Sequence, residues 1–132
     1  MSDVLRDLAS TIPFVGVLGI EVMAAEPGEV TGRMPWTAEH CTAAEVLHGG
    51  ALMSLADTLG AVCAFLNLPE GATTSTVESK TNFFRAVRGG DVRGVSRPLH
   101  VGRSFIVVQT QLSDDEGRSV ALVTQTQAVL AT

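Results

Sequence analysis

One stretch constrains this chain more than any other: His48-Gly49-Gly50, followed by the apolar run from Ala51 to Leu66. Within that run only Ser54, Asp57 and Thr58 are strongly polar. A helix that is hydrophobic on all sides is expected to be buried, with other structure wrapped about it. A lone carboxylate in the middle of such a helix is costly unless a partner satisfies it. Asp57 therefore either meets a structural partner or is kept because it does chemistry.

The 132 residues fit one domain, long enough to bury a real core. A formal charge of -5 argues against a nucleic-acid binder, and the absence of Tyr with 5% aromatics argues against base stacking. The two cysteines, Cys41 and Cys63, form no CxxC pair and have no metal-like spacing with His. Cys63 falls inside the apolar run as a small core residue, and a reduced, cytoplasmic setting follows. The N-terminal octet is too polar for a secretory signal, and no uninterrupted apolar run reaches the roughly 18 residues of a membrane span.

Along the chain, Ser2 or Asp3 is placed to cap a short helix carrying Val4, Leu5 and Leu8 and ending by Pro13. Pro13 to Gly19 reads as a connecting segment with apolar anchors. Two strands follow, Ile20 to Ala25 and Glu29 to Trp36, joined by the turn Glu26-Pro27-Gly28-Glu29. Residues 35–47 form a polar loop, of a length often functional inside a compact domain. After the central helix and the break at Pro69-Glu70-Gly71 come strand-like runs over Thr73–Phe84, Asp91–His100, Ser104–Ser113 and Ser119–Ala131. Gly89-Gly90-Asp91 and Asp114 to Gly117 have hairpin-turn composition, and Val101-Gly102-Arg103 makes a tighter connection. A long apolar helix followed by a meander of strands predicts an α+β layout, an antiparallel sheet wrapped on a helix.

His48-Gly49-Gly50, Asp57 nine residues on, and Thr76-Val77-Glu78 opening a strand toward Asn82-Phe83 resemble the hotdog-fold acyl-CoA thioesterases of the PaaI-like group. The similarity runs from about Gly19 to the end and extends to the 4-hydroxybenzoyl-CoA and 1,4-dihydroxy-2-naphthoyl-CoA thioesterases. It implies a central helix wrapped by six antiparallel strands, and a homodimer or homotetramer. It also implies that Asp57 is nucleophile or general base and that the Gly50 amide is the oxyanion donor. His48 would position the thioester, and the Thr76 hydroxyl would face the acid. Many members carry Asn or Gln six residues before the His; here that position is Thr42, and Glu45 replaces the usual Gly nearer the His.

The chemistry stands beside the resemblance. Thioester hydrolysis needs donors on the carbonyl oxygen and a nucleophile or base at the carbon. Gly49 and Gly50 would offer free N–H groups at a helix start, where the dipole favours negative charge and no side chain blocks approach. Asp57, stripped of hydration by apolar neighbours, is the base or nucleophile. Nine helical residues separate it from His48 by about 13 Å, so one acyl carbon cannot touch both in the same chain. If both act, Asp57 comes from a neighbouring copy.

Six of the nine Lys and Arg residues fall between Lys80 and Arg103, a local basic region suited to the phosphates of coenzyme A. By resemblance Arg85, His100, Gly102, Arg103 and Ser104 would grip the nucleotide, while Lys80 and Arg93 remain surface residues. Val46, Leu47, Met53, Phe83 and Phe84 are candidates for the acyl pocket, which would take an aryl or a medium aliphatic group. No metal or redox cofactor is implied; coenzyme A belongs to the substrate. Three alternatives carry less support. A cysteine enzyme built on Cys41 with His40 or His48 has no third orienting residue, and the short Asp–His spacing of hotdog hydratases is missing. A non-catalytic acyl-CoA-binding module would need no acid in the helix.

Overall fold

The computed structural model describes residues 1–131. Its elements are α1 (Asp3–Arg6), α2 (Pro13–Leu18), β1 (Glu21–Glu26), β2 (Glu29–Pro35), α3 (Gly49–Leu66), β3 (Thr73–Phe83), β4 (Asp91–Val101), β5 (Phe105–Ser113) and β6 (Ser119–Leu130). Short 3-10 turns sit at Leu8–Ser10, Ala38–His40 and Ala43–Glu45. Ser2 caps α1, its hydroxyl accepting from the Leu5 N–H at 3.4 Å. Pro13 does not merely end a helix, as expected from the sequence; it starts α2 at its first turn. Proline is suited there because its missing N–H would have no helical partner and its φ is already helical. Gly19 closes α2 with φ 71°, the left-handed cap that glycine adopts without strain.

The sheet has six antiparallel strands in the order β1-β2-β4-β5-β6-β3, and it wraps α3. The order corrects the expected meander at one place. β3 pairs with β6, not with β4, so Gly89-Gly90 is a crossover turn rather than a hairpin. The other three connections, β1–β2, β4–β5 and β5–β6, are hairpins as predicted. The consequence matters for the site: β3, eleven residues long and almost wholly exposed, becomes an unpaired edge beside α3.

Nine of the eighteen residues of α3 are buried, among them Leu55, Ala56, Leu59 and Cys63. They pack on the inner sheet face, which includes Val30, Met34, Val92, Ile106, Val108, Leu112 and Val123. Leu59 seats in a notch made by two glycines that face each other across β2 and β4, Gly32 and Gly94. A Cβ on either would run into the Leu59 methyls at 2.5 Å. Asn67 ties the far end of the helix to the β1–β2 turn, donating to Pro27 O at 2.8 Å and Cys63 O at 2.9 Å. In length and composition α3 matches a membrane span, but half of it is buried, the mark of a core helix.

The expectation of all-round burial fails for the remaining face of α3. Met53, Asp57 and Phe65 are exposed in the single chain. The sheet covers a helix from one side only, so a helix that is apolar all round leaves one face for something else.

Candidate active site

Asp57 is placed by the helix and held by the sheet. Its Oδ1 accepts from the Thr76 hydroxyl at 2.8 Å and from the Gln125 carboxamide at 3.2 Å. The Thr76 hydroxyl in turn accepts from Gln127 Nε2 at 2.7 Å. Thr76 therefore faces the acid, as the motif suggested. A bulge in β3 between Thr76 and Glu78 sets the faces: Thr76 pairs with buried Gln127, while Glu78 pairs with half-buried Thr126. The buried-carboxylate premise needs correction, since Asp57 is exposed and carries two structural partners. Sequence reasoning missed Gln125 and Gln127 altogether. The only available signal was two glutamines continuing, at period two, the alternation begun by Ala121 and Val123.

Asp57 stands at an apolar recess of about 450 Å³ between α3 and the N-terminal elements. Val4, Leu8, Ile12, Phe14, Ala61 and Phe65 are among its walls, with Ser54, Thr58 and Thr74 as the neutral polar groups. No Lys, Arg or His lines it. The residues expected for the acyl pocket lie elsewhere in the single chain. Val46, Leu47, Phe83 and Phe84 instead line a separate hollow of about 300 Å³ with Gly49 and Arg85, and Met53 lines neither. Gly49 lies against the Phe83 ring, where a Cβ would stand 3.1 Å from Cζ.

His48 and Gly50 lie in a third recess, with Phe14, His40, Cys41 and Ser54. Asp57 is absent from it, as the helix spacing requires; Phe14 and Ser54 line both recesses. The Gly50 N–H is not free. It donates to His48 Nδ1 at 2.8 Å, so the histidine caps the helix with its own ring. That bond places the imidazole proton on Nε2 whenever the ring is neutral. A short polar cap satisfies an orphan donor that glycine cannot cover by itself.

Thr42 is exposed and lines none of these three recesses. The loop beside it is strained: Ala44 and Glu45 have φ of 63° and 59°, the left-handed region where the family's glycine would be at ease. Trp36 Nε1 donates to Glu45 O at 3.0 Å and Arg88 donates to Ala44 O at 3.1 Å, which holds the strained pair. Cys41 has no activated thiol. It donates to Thr37 O at 3.3 Å, and desolvation with the nearby Glu45 and Glu39 charges raises its pKa. His40 is engaged with the Thr37 hydroxyl at 2.9 Å. Both cysteines are unpaired, and burial pushes the Cys63 thiol up to about 11.

The basic region does not form one patch. Arg85 and Arg88 border a hollow with Asp114, Asp115 and Arg118 at one end of β4. His100, near the end of β4, and Gly102, Arg103 and Ser104 of the β4–β5 turn lie at the other end. Eleven extended residues span about 35 Å, so one chain cannot bring Arg85 and Arg103 to one nucleotide. Arg97 is engaged with Glu29 at 2.6 Å, and Lys80 and Arg93 are exposed, as expected. Among the described residues no three His, Cys, Asp or Glu side chains gather as a metal site.

A helix wrapped by six antiparallel strands, opening on His-Gly-Gly and presenting a hydrogen-bonded acid two turns on, is the architecture of a hotdog-fold hydrolase. Residues 44–121 match the thioesterase superfamily model, and the chain belongs to that family. It is similar to the proofreading thioesterase EntH of Klebsiella pneumoniae, 36% identical over 79% of this chain and 76% of that protein. The 1,4-dihydroxy-2-naphthoyl-CoA hydrolase of Escherichia coli is 36% identical over 64% of this chain and 62% of its own length. The chain spans 56% of the length of a Vibrio cholerae esterase-like relative and 84% of that of one from Haemophilus influenzae. A crystal structure of a Haemophilus influenzae thioesterase superposes with a TM-score of 0.90 at 31% identity, covering 96% of this chain and 88% of the other. The protein is a thioester hydrolase.

Proposed function

We propose that the protein hydrolyses acyl-CoA thioesters with an uncharged acyl group, aryl or medium-chain aliphatic, to free acid and coenzyme A. The observation that carries this is the Asp57 carboxylate at the edge of an apolar recess without cationic walls. The eight helical steps from Asp57 to Phe65 span about 12 Å. An extended chain advances about 1.2 Å per bond, so about ten carbons lie along that wall. A carboxylated acyl group would meet only the Asp57 charge and no counter-ion.

The active unit is a homodimer. The unpaired β3 edge is a template for strand pairing, and a second copy on that edge covers the exposed face of α3. Asp57 of one copy then works with the His48–Gly50 turn of the other, which the 13 Å helical separation demands of any shared carbon. Asp57 either attacks the thioester carbon, expelling the thiolate and forming an anhydride that water opens, or takes the proton of an attacking water. The His48 ring swings away from the Gly50 amide, which, assisted by the helix dipole, then donates to the developing oxyanion. His48 is exposed, so its ring has room to move.

The test is thiol release from a panel of aryl, aliphatic and carboxylated CoA esters, for wild type beside Asp57→Asn, with folding checked by circular dichroism. Turnover of the uncharged esters that collapses in Asp57→Asn is expected. Equal rates in the two proteins would overturn the role of Asp57. Mixing Asp57→Asn with Gly50→Pro chains, each inactive alone, regains activity if sites are shared. Proline is tolerated in a first helical turn, so that variant retains the helix.

A further inference from the structure

We propose that Gln125 and Gln127 are positioning residues that hold Asp57 by one carboxylate oxygen and leave the other to the reaction. This rests on the reading of Asp57 given above. Both glutamines are fully buried on β6, between core residues such as Val123, Ile106 and Val108. Burying a carboxamide in an apolar layer is costly unless its hydrogen bonds are made. The bonds that are made all lead to one place.

The directions are set by chemistry. An ionised carboxylate only accepts, so the NH2 group of Gln125 faces Asp57, and its Oε1 points away. Thr76 has a single hydroxyl proton, which it gives to Asp57 Oδ1 at 2.8 Å. It can therefore accept, and does so from Gln127 Nε2 at 2.7 Å. Gln127 Oε1 lies 3.1 Å from the Thr74 hydroxyl, which shares its one proton with the nearer Ala128 O at 2.8 Å. Donors thus run in one direction, Gln127 to Thr76 to Asp57, with Gln125 as a second direct donor. Both direct bonds converge on Oδ1.

Two features make no sense for a merely structural layer. Gln125 Oε1 is buried without a partner, a cost that an apolar side chain of the same shape would avoid. Gly60 sits inside α3, where glycine costs about 1 kcal/mol against alanine. A Cβ there would collide with the Gln125 carboxamide. The helix gives up a side chain so that this amide can reach past it to Asp57, one turn away. Both costs are explained if the amide orients the reacting carboxylate.

The test compares Gln125→Met, which keeps the volume and removes the donor, with wild type and Asp57→Asn. Expected is a kcat loss on the order of tenfold to a hundredfold with KM within about twofold, since a misaimed reacting group lowers turnover rather than binding. Thermal stability should be unchanged or higher, because the orphaned oxygen is gone. Gln127→Met should lose less, and nothing further in a Thr76→Val background, because it acts through that hydroxyl. A wild-type kcat in Gln125→Met, while Asp57→Asn is inactive, overturns the proposal and leaves the role of Asp57 standing. A loss of stability with kcat per folded molecule unchanged overturns it as well. If Asp57→Asn is as active as wild type, it is the reading of Asp57 that fails, and the proposal falls with it.

Discussion

The seating of Leu59 on Gly32 and Gly94 predicts a specific non-additivity. Leu59 is fully buried, and Leu59→Ala removes three carbons worth about 2.4 kcal/mol of transfer free energy. The cavity left behind adds about 1–2 kcal/mol, for a total of about 4 kcal/mol. Gly94→Ala places a methyl 2.5 Å from Leu59 Cδ1 and 3.1 Å from Leu112 Cδ2, an overpacking worth about 1–3 kcal/mol. Every atom in that clash belongs to a side chain, so removing Leu59 should relieve it. At Gly32 the relief would be incomplete, because Glu21 O stands 2.7 Å away and cannot retreat. The double variant Leu59→Ala/Gly94→Ala should thus be more stable than the sum of the singles by about 1–2 kcal/mol. Urea titrations at one protein concentration measure all four corners. Gly94→Ala should also cut thiol release: lifting Leu59 shifts Asp57, two residues earlier, from donors at 2.8 and 3.2 Å. Additive stabilities within error would refute the notch, and an unimpaired kcat in Gly94→Ala would refute its link to the site.

Two further outcomes follow from strain and charge. Glu45→Gly relieves a left-handed residue costing about 1–2 kcal/mol against an entropy penalty of about 0.5–1 kcal/mol, so the urea midpoint should rise; a lower midpoint would show that the loop is not strained there. Desolvation raises the pKa of Asp114, but the Arg118 N–H and guanidinium and the Glu116 N–H outweigh it and hold the carboxyl below the usual range. A depressed folded pKa stabilises above the unfolded value and is lost as pH falls through the folded one. The Tm gap between wild type and Asp114→Ala should therefore be open at neutral pH and narrow in acid; a gap independent of pH would refute the account.

Local chemistry made much of this protein legible. The Asp114–Gly117 turn, the Pro27-Gly28 turn and the helix start at His48-Gly49-Gly50 are written in residues whose backbone preferences act over a few positions. Hydrophobic pattern likewise separates the nearly unbroken apolar run of α3 from the alternating β2. The acid and the glycine turn were visible as a motif, and the 13 Å helical separation followed from helix rise alone.

Tertiary structure decided the rest. That β3 leaves its neighbour in sequence to pair with β6 depends on non-local packing, and no local preference at Gly89-Gly90 announces it. The same pairing brings Gln125, Gln127 and Thr76 to Asp57 from sequence separations of 19 to 70 residues, a convergence no window of sequence contains. The half-exposed state of α3 was likewise invisible. Composition counts how apolar a helix is, whereas the sheet determines which side it covers. The scattering of the basic residues was likewise decided by the fold, because β4, about 35 Å long, stands between Arg85 and Arg103.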